Sequence, residues 1–320
     1  MSRFPFSDEM PFGWYLMCYS DELEPAGRMP LTYFGKEWVA WRSTEGEPVV
    51  MEAYCPHLGA HLGHGSWVEE GGIRCPFHGW QFDCSGANCD VPYSDRTNKK
   101  AKVATLPLHE EDGFVWAWYH PEGAAPMWEL PKIPEASDAG FSDWYRRRWK
   151  IRTSPQEMAE NSVDSAHFRW VHGTVNVPAI EEVEDGFPLM RVKSNQLFDT
   201  PMGPQPGFIE SNAWGFGFSI VRFSGIVDTC LVGAATPVDN EFIDLKFTFR
   251  FRRLGDEDKL NKTVGEALIG DITKQITEDA VIWENKVYLP VPALVPEDGP
   301  FRRFRNWAQQ FYATDWSESA

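Results

Sequence analysis

Cys55-Pro56-His57 and Cys75-Pro76-Phe77-His78 each set one thiol and one imidazole within a few residues of each other, with Gly59, Gly63, Gly65, Gly79 and Gly86 around them. Loops of this kind can bring thiolates and imidazoles to one point while backbone amides stay free to bond sulfur, which is what a two-iron, two-sulfur cluster demands. Cys55 and Cys75 then hold one iron and His57 and His78 the other, and the neutral imidazoles raise the reduction potential above that of an all-cysteine cluster. Structural zinc also takes two cysteines and two histidines. Zinc modules usually pair Cys with Cys and His with His, whereas each loop here supplies one of each. His61 and His64 lie beside a complete ligand set and read as hydrogen-bonded or exposed. Cys84 and Cys89 read as free thiols.

The rest of the chain fits a folded globular protein. Its 320 residues are 42% hydrophobic, enough for one large or two ordinary domains. Thirty basic against 47 acidic side chains give a formal charge of −17 with no basic patch or arginine-rich arm, so neither nucleic acid nor an anionic membrane is an expected partner. Residues 1–14 mix Arg3, Asp8, Glu9 and two prolines, unlike a signal peptide, and no apolar run is long enough to span a bilayer. The expectation is a reducing, cytoplasmic compartment and no membrane insertion.

Cysteines and most histidines crowd the first third, while residues 173–320 hold only Cys230 and no histidine. Pro121, Pro126, Pro131 and Pro134 read as a linker. Two domains are expected, 1–120 and 121–320, the first residues wrapping onto the second. In the first, apolar runs at 38–41, 49–54 and 114–119 predict an all-β domain. The second reads as α+β. Ser154, Pro155 and Glu157 form a capping box for a helix running through about His167. Alternation over 243–251 predicts a half-buried strand, and 216–223 a weaker one. Thr263 and Glu266 form a second capping box, opening a long helix with Ile269, Ile272, Ile276, Ala280 and Trp283 on one face.

A second metal site is suggested in that domain. Asn161, Asp164 and His167 recur every three residues along one helix face. His172 lies five residues beyond His167, about 140° round a regular helix, so a shared metal requires the helix to end or bulge between them. Gly173 is consistent with such a break. Two histidines and one carboxylate can hold an iron that keeps positions open for oxygen. The long helix offers Asp271, Glu278, Asp279 and Glu284. Asp279 falls within the apolar stripe, where a carboxylate needs a cation or donors to offset its desolvation, and is the choice. Phenylalanines and the alternating strand are expected to line a largely apolar pocket.

Taken together, nearly the whole chain resembles the oxygenase component of the Rieske non-heme iron oxygenases. The resemblance rests on the two cluster loops, on Glu160, Asn161, Asp164, His167, Phe168, Val171 and His172, and on the segment around Asp279. Pro92, Tyr93, residues 131–135, Ile282, Trp283, Lys286, residues 297–300, Trp307, Phe311 and Tyr312 resemble the 3-ketosteroid 9α-hydroxylase branch. The resemblance implies a cluster-bearing N-terminal domain and a helix-grip α+β catalytic domain holding Fe(II) in a triad of His167, His172 and Asp279. It implies a head-to-tail homotrimer in which Asp164 bridges a triad histidine to the neighbour's His78, with Asn161 a further catalytic candidate. Electrons would come from a flavin and iron–sulfur reductase or a ferredoxin, ultimately from NADH. With O2 they would hydroxylate a bulky, hydrophobic, steroid-like substrate. Aromatic-ring dihydroxylation and O-demethylation use the same kind of site, and a Rieske electron-transfer protein is the reading without an enzyme.

Overall fold

β-branched and aromatic runs separated by glycine turns favour short strands, and the N-terminal third consists of them. The computed structural model describes residues 9–198, 203–225, 227–255 and 258–313. Its early strands are β1 (Gly13–Tyr19), β2 (Arg28–Tyr33), β3 (Lys36–Arg42), β4 (Pro48–Glu52), β5 (Trp67–Glu69), β6 (Gly72–Arg74), β7 (Gln81–Phe82), β8 (Asn88–Asp90), β9 (Leu108–Glu111) and β10 (Phe114–Tyr119). They form three small sheets ordered β1-β10-β9, β2-β3-β4 and β5-β6-β7-β8. Val39, Trp41, Met51, Ile73, Phe82 and Val103 bury themselves together with Cys55 and Cys75, so both cluster loops are rooted in one core. This compact unit comprises Trp14–Tyr119 with Gly123–Pro126.

The second unit holds His120–Glu122, the chain from Met127 onward and the described residues before Trp14. Within it the Phe12 amide donates to the Phe311 carbonyl at 2.8 Å; residues 1–8 lie outside the described residues. Its elements are α1 (Pro134–Ser137), β11 (Tyr145–Ile151), α2 (Pro155–Glu160), α3 (Ala166–Trp170), β12 (Ala179–Asp185), β13 (Leu189–Phe198), β14 (Gln205–Trp214), β15 (Ser219–Ser224), β16 (Thr229–Pro237), β17 (Ile243–Phe251), α4 (Asp258–Trp283) and α5 (Phe301–Ala308). One seven-stranded antiparallel sheet is ordered β11-β17-β16-β15-β14-β13-β12. Helix α4 lays Ile269, Ile272, Ile276 and Trp283 against Leu231, Leu245, Phe247 and Phe249 of that sheet. Burying each such side chain stabilises by about 1.5–3 kcal/mol, so this packing fixes where α4 lies. No helix among the described residues is long and apolar enough to cross a membrane.

Five expectations change. The helix from Ser154 does not run through His167. It ends at Glu160, passes through a 3-10 turn at Asn161–Val163, turns extended at Asp164 and resumes as α3. The Ser154 hydroxyl caps it by accepting from the Glu157 amide at 3.1 Å, but the Glu157 carboxylate pairs with Lys286 at 2.5 Å instead of closing the capping box. Helix α4 starts at Asp258, five residues before Thr263, because Asn261 braces the preceding turn through the Leu254 amide and the Gly255 carbonyl. Strand β17 has its expected bounds, yet every residue is buried. Its polar face is covered: Asp244 meets Arg148 at 2.7 Å and Lys246 at 2.6 Å, and Arg250 donates to carbonyls of Glu135, Ala136 and Ser142. The weaker strand begins only at Ser219.

Gly265 lets α4 approach β17: a Cβ there would collide with the buried Phe251 ring. Gly265→Ala gains up to about 1 kcal/mol of helix propensity but overpacks a rigid neighbour at about 1–3 kcal/mol. A net loss of about 1 kcal/mol and a Tm lower by about 2–4 °C are expected by thermal denaturation; an unchanged or higher Tm would show that the helix can shift.

Candidate metal centres

The two cluster loops repeat one backbone design. The Cys55 amide donates to the Ala60 carbonyl and its carbonyl accepts from Gly59, both at 2.9 Å; the Cys75 amide donates to Trp80 at 2.9 Å and its carbonyl accepts from Gly79 at 3.0 Å. Gly59 and Gly79 sit at φ +77° and +72°, the left-handed conformation that closes each turn without a Cβ penalty. The amides of His57 and Leu58 reach the Cys55 thiol, and those of Phe77 and His78 reach the Cys75 thiol. The thiols also bond each other: the contact from Cys55 holds Cys75 down to about 6, with help from its amides against its burial, and pushes Cys55 up. The His57 and His78 rings stand 4.7 Å apart at 73°. Two thiols, two imidazoles and four sulfur-directed amides are a donor set that fits a two-iron, two-sulfur cluster. His61 turns away to accept from the Gly63 amide at 2.9 Å, His64 is exposed, and none of the six cysteines is in a disulfide.

In the second unit the structure brings together His167, His172 and Asp279, whose ligand atoms all lie within 4.8 Å of one another. The required break exists: α3 ends at Trp170, and Gly173 at φ +69° turns the chain. His172 Nε2 lies 3.2 Å from Asp279 Oδ1, and Asn161 Nδ2 donates to Asp279 Oδ2 at 3.1 Å. Asp279 is only 6% exposed. Burial would lower the His172 pKa, but its bonds to Asp279 and Glu278 outweigh that and raise it. Two imidazoles and a carboxylate converging on one point fit a divalent iron with open positions.

Two details differ from the sequence reading. The imidazole of His167 donates Nδ1 to the main-chain carbonyl of Asp164 at 2.5 Å, while the Asp164 carboxylate accepts from the His167 amide at 3.2 Å and stands 3.7 Å from Nδ1. Burial would raise the Asp164 pKa, yet these contacts with His167 and the Ala166 amide lower it. Glu278, passed over as a ligand in favour of Asp279, bonds His172 Nδ1 at 3.0 Å and also lies 3.6 Å from Lys274. Its position next to Asp279 was the only available signal. The remaining acids are engaged elsewhere, Asp271 with Gln275 at 2.9 Å and Glu284 with the Arg152 amide at 3.4 Å.

Asn161, His167, His172 and Asp279 line a cavity of about 190 Å³. Its walls are alternate residues of neighbouring strands, Ile209, Ser211 and Ala213, then Val221 and Phe223, then Leu231, Gly233 and Ala235, closed by Ile272, Ile276 and Trp283 of α4. Strand β17 contributes only Phe247, because most of its apolar side is already occupied by α4. Apart from Asn161 and the triad, Ser162, Ser211, Ser219 and Gln275 are the polar residues in this lining.

Residues 13–107 match the Rieske [2Fe-2S] domain family and residues 117–312 the 3-Ketosteroid 9alpha-hydroxylase C-terminal domain family. A cholesterol 7-desaturase of Caenorhabditis elegans is 30% identical over 94% of this chain and 77% of its own length. The oxygenase component of a 3-ketosteroid-9-alpha-monooxygenase from Rhodococcus rhodochrous is 27% identical over 94% and 82%. Among solved structures, dicamba monooxygenase bound to dicamba superposes with a TM-score of 0.77, at 18% identity over 93% of this chain and 96% of that one, a likeness of fold.

With Glu278 3.0 Å from Nδ1, a proton held there would leave His172 Nε2 to a metal. Glu278→Ala is expected to weaken Co(II) binding to the metal-free chain by about 10- to 100-fold, followed by the d–d absorption of the site. Wild-type affinity in that variant would deny Glu278 this role.

Proposed function

The chain belongs to the Rieske non-heme iron oxygenases, with a catalytic domain of the 3-ketosteroid 9α-hydroxylase type, and from that premise we propose that it hydroxylates a bulky, steroid-like substrate. The observation that carries this reading is the convergence of His167, His172 and Asp279 on an apolar cavity. The two sets of relatives are named for different reactions but for substrates built on the same ring system, which supports the substrate class.

In this reading Cys55, His57, Cys75 and His78 hold the cluster, and His167, His172 and Asp279 hold the mononuclear iron. When bound, the iron supplies oxygen activation and the cluster supplies its electrons one at a time. The chain does the rest. Asn161 donates to Asp279 Oδ2 and keeps Oδ1 turned toward the histidine pair. The Asp164 carbonyl and Glu278 occupy the Nδ1 atoms of His167 and His172, leaving both Nε2 atoms as ligands. The apolar walls hold the ring system and exclude water. Asp164 serves as the bridge between chains in a head-to-tail homotrimer, accepting from the His78 of a neighbouring copy, and a flavin and iron–sulfur reductase or a ferredoxin feeds the system.

Desaturation is a second reading, favoured by the 30% identity to a protein named for it. Turnover of a panel of sterols and ketosteroids with a surrogate reductase under ¹⁸O₂, followed by mass spectrometry, separates the two. One labelled oxygen in the product is expected; loss of two hydrogens without label would establish desaturation, and no product from any steroid would sink the substrate class. Asp164→Asn should retain cluster and iron by metal analysis yet lose turnover by about 100-fold or more. Retained turnover would remove its bridging role.

A further inference from the structure

The acidic composition, which predicted no basic patch, hides a local exception. Between β8 and β9, residues 95–102 carry Arg96, Lys99, Lys100 and Lys102 against the single acid Asp95, a local charge of +3 in a chain of −17. All four cations are exposed, and among the described residues none of them is in an ion pair within the chain. They stand on a fixed base. Buried Asn88 accepts from the Asn98 amide at 2.9 Å, and its own side-chain amide donates to the Gln81 and Asp90 carbonyls at 3.0 Å. Asn98 in turn accepts from the Lys100 amide through its side chain at 3.0 Å and from the Ala101 amide through its carbonyl at 2.9 Å.

The same loop touches the cluster site. Trp80 lies flat on His57, rings 4.4 Å apart at 7°, and its Nε1 donates to the Tyr93 hydroxyl at 2.7 Å. Trp80 is buried while Tyr93 is 62% exposed, so one contiguous chain of aromatic contacts leads from solvent to a cluster ligand. Trp80, Tyr93, Arg96, Lys99 and Lys100 line one open cleft.

We propose that this cleft is the docking site of the electron donor, an acidic iron–sulfur protein or domain, and that Tyr93, Trp80 and His57 form the path by which its electron reaches the cluster. The inference rests on the oxygenase reading above. The donor loses one electron and the cluster gains one; no bond or proton changes hands. A chain of charge −17 repels an acidic partner over most of its surface, so unpaired cations at one place set both the rate and the orientation of the encounter. Intake through His57 also leaves the other imidazole, His78, free to face a neighbouring copy.

The test uses the full chain with both metal centres loaded and a strongly acidic plant-type [2Fe-2S] ferredoxin as probe. Binding is measured by calorimetry at low and near-physiological salt, and cluster reduction by stopped-flow absorbance with reduced ferredoxin or with dithionite. The triple variant R96E/K99E/K100E is expected to bind ferredoxin about 10-fold more weakly or worse, with a flatter salt dependence. Reduction by ferredoxin should slow by a similar factor while dithionite reduction and the cluster spectrum stay unchanged. Tyr93→Leu should slow reduction at saturating ferredoxin, with Tyr93→Phe, which keeps the ring, nearer to wild type. Ferredoxin that binds the triple variant as well as wild type, or fails to bind wild type, overturns the proposal. So does a triple variant that loses oligomeric mass on gel filtration with ferredoxin binding intact, since the patch is then a contact between copies. Absence of steroid turnover would sink the substrate reading without moving either readout.

Discussion

A carboxylate sealed into the apolar face of a helix must find donors or a cation, because an unpaired buried charge costs several kcal/mol. Asp279 is that carboxylate, and what offsets it organises the catalytic unit. Its partners Asn161 and His172 both come from the connection between β11 and β12, so that segment has to fold against α4. A continuous helix could not present Asn161, His167 and His172 to one point. The chain instead breaks twice, turning extended at Asp164 and left-handed at Gly173. The first break puts the Asp164 carbonyl within reach of the His167 imidazole, so the same irregularity that gathers the ligands also fixes a tautomer.

The cluster unit meets its demands by repetition. Each loop closes on a left-handed glycine, returns the cysteine amide to a carbonyl five residues on, and leaves the amides two and three residues on directed at sulfur. Rigid sheets beneath the loops matter because the two halves of the site come from separate hairpins and meet only if both are held. The surroundings of the two histidines differ: His57 is covered by Trp80, while His78 is flanked by the exposed Phe77. On the proposed routes, that asymmetry would give one small domain two distinct redox contacts, one at each imidazole.

The sheet of the catalytic unit serves packing and pocket with the same pleat. Leu245 and Phe249 of β17 pack on α4, and moving along the sheet to β16, β15 and β14 the inward positions become shorter, Gly233, Ala235, Ala213 and Ser211 among them. The cavity exists where the side chains shrink. Its polar groups are few, so a ligand there is recognised by shape and by one or two hydrogen bonds.

The candidate ligands that the structure gathers were legible in the sequence because their chemistry is local: thiol and imidazole a residue or two apart, histidines near a glycine, and an aspartate out of place in an apolar stripe. The α+β class was legible for the same reason, since periods of 2 and 3.6 are properties of neighbouring residues. Only the tertiary structure decided which of several equivalent acids does what. Glu278 and Glu284 look alike in sequence, yet α4 turns one toward His172 and the other toward the Arg152 amide. It also decided that the polar face of β17 is covered, that the helix before His167 breaks, and that Tyr93 reaches Trp80. Such facts depend on which side chains distant in sequence arrive within about 3 Å of each other, and no local pattern encodes that distance.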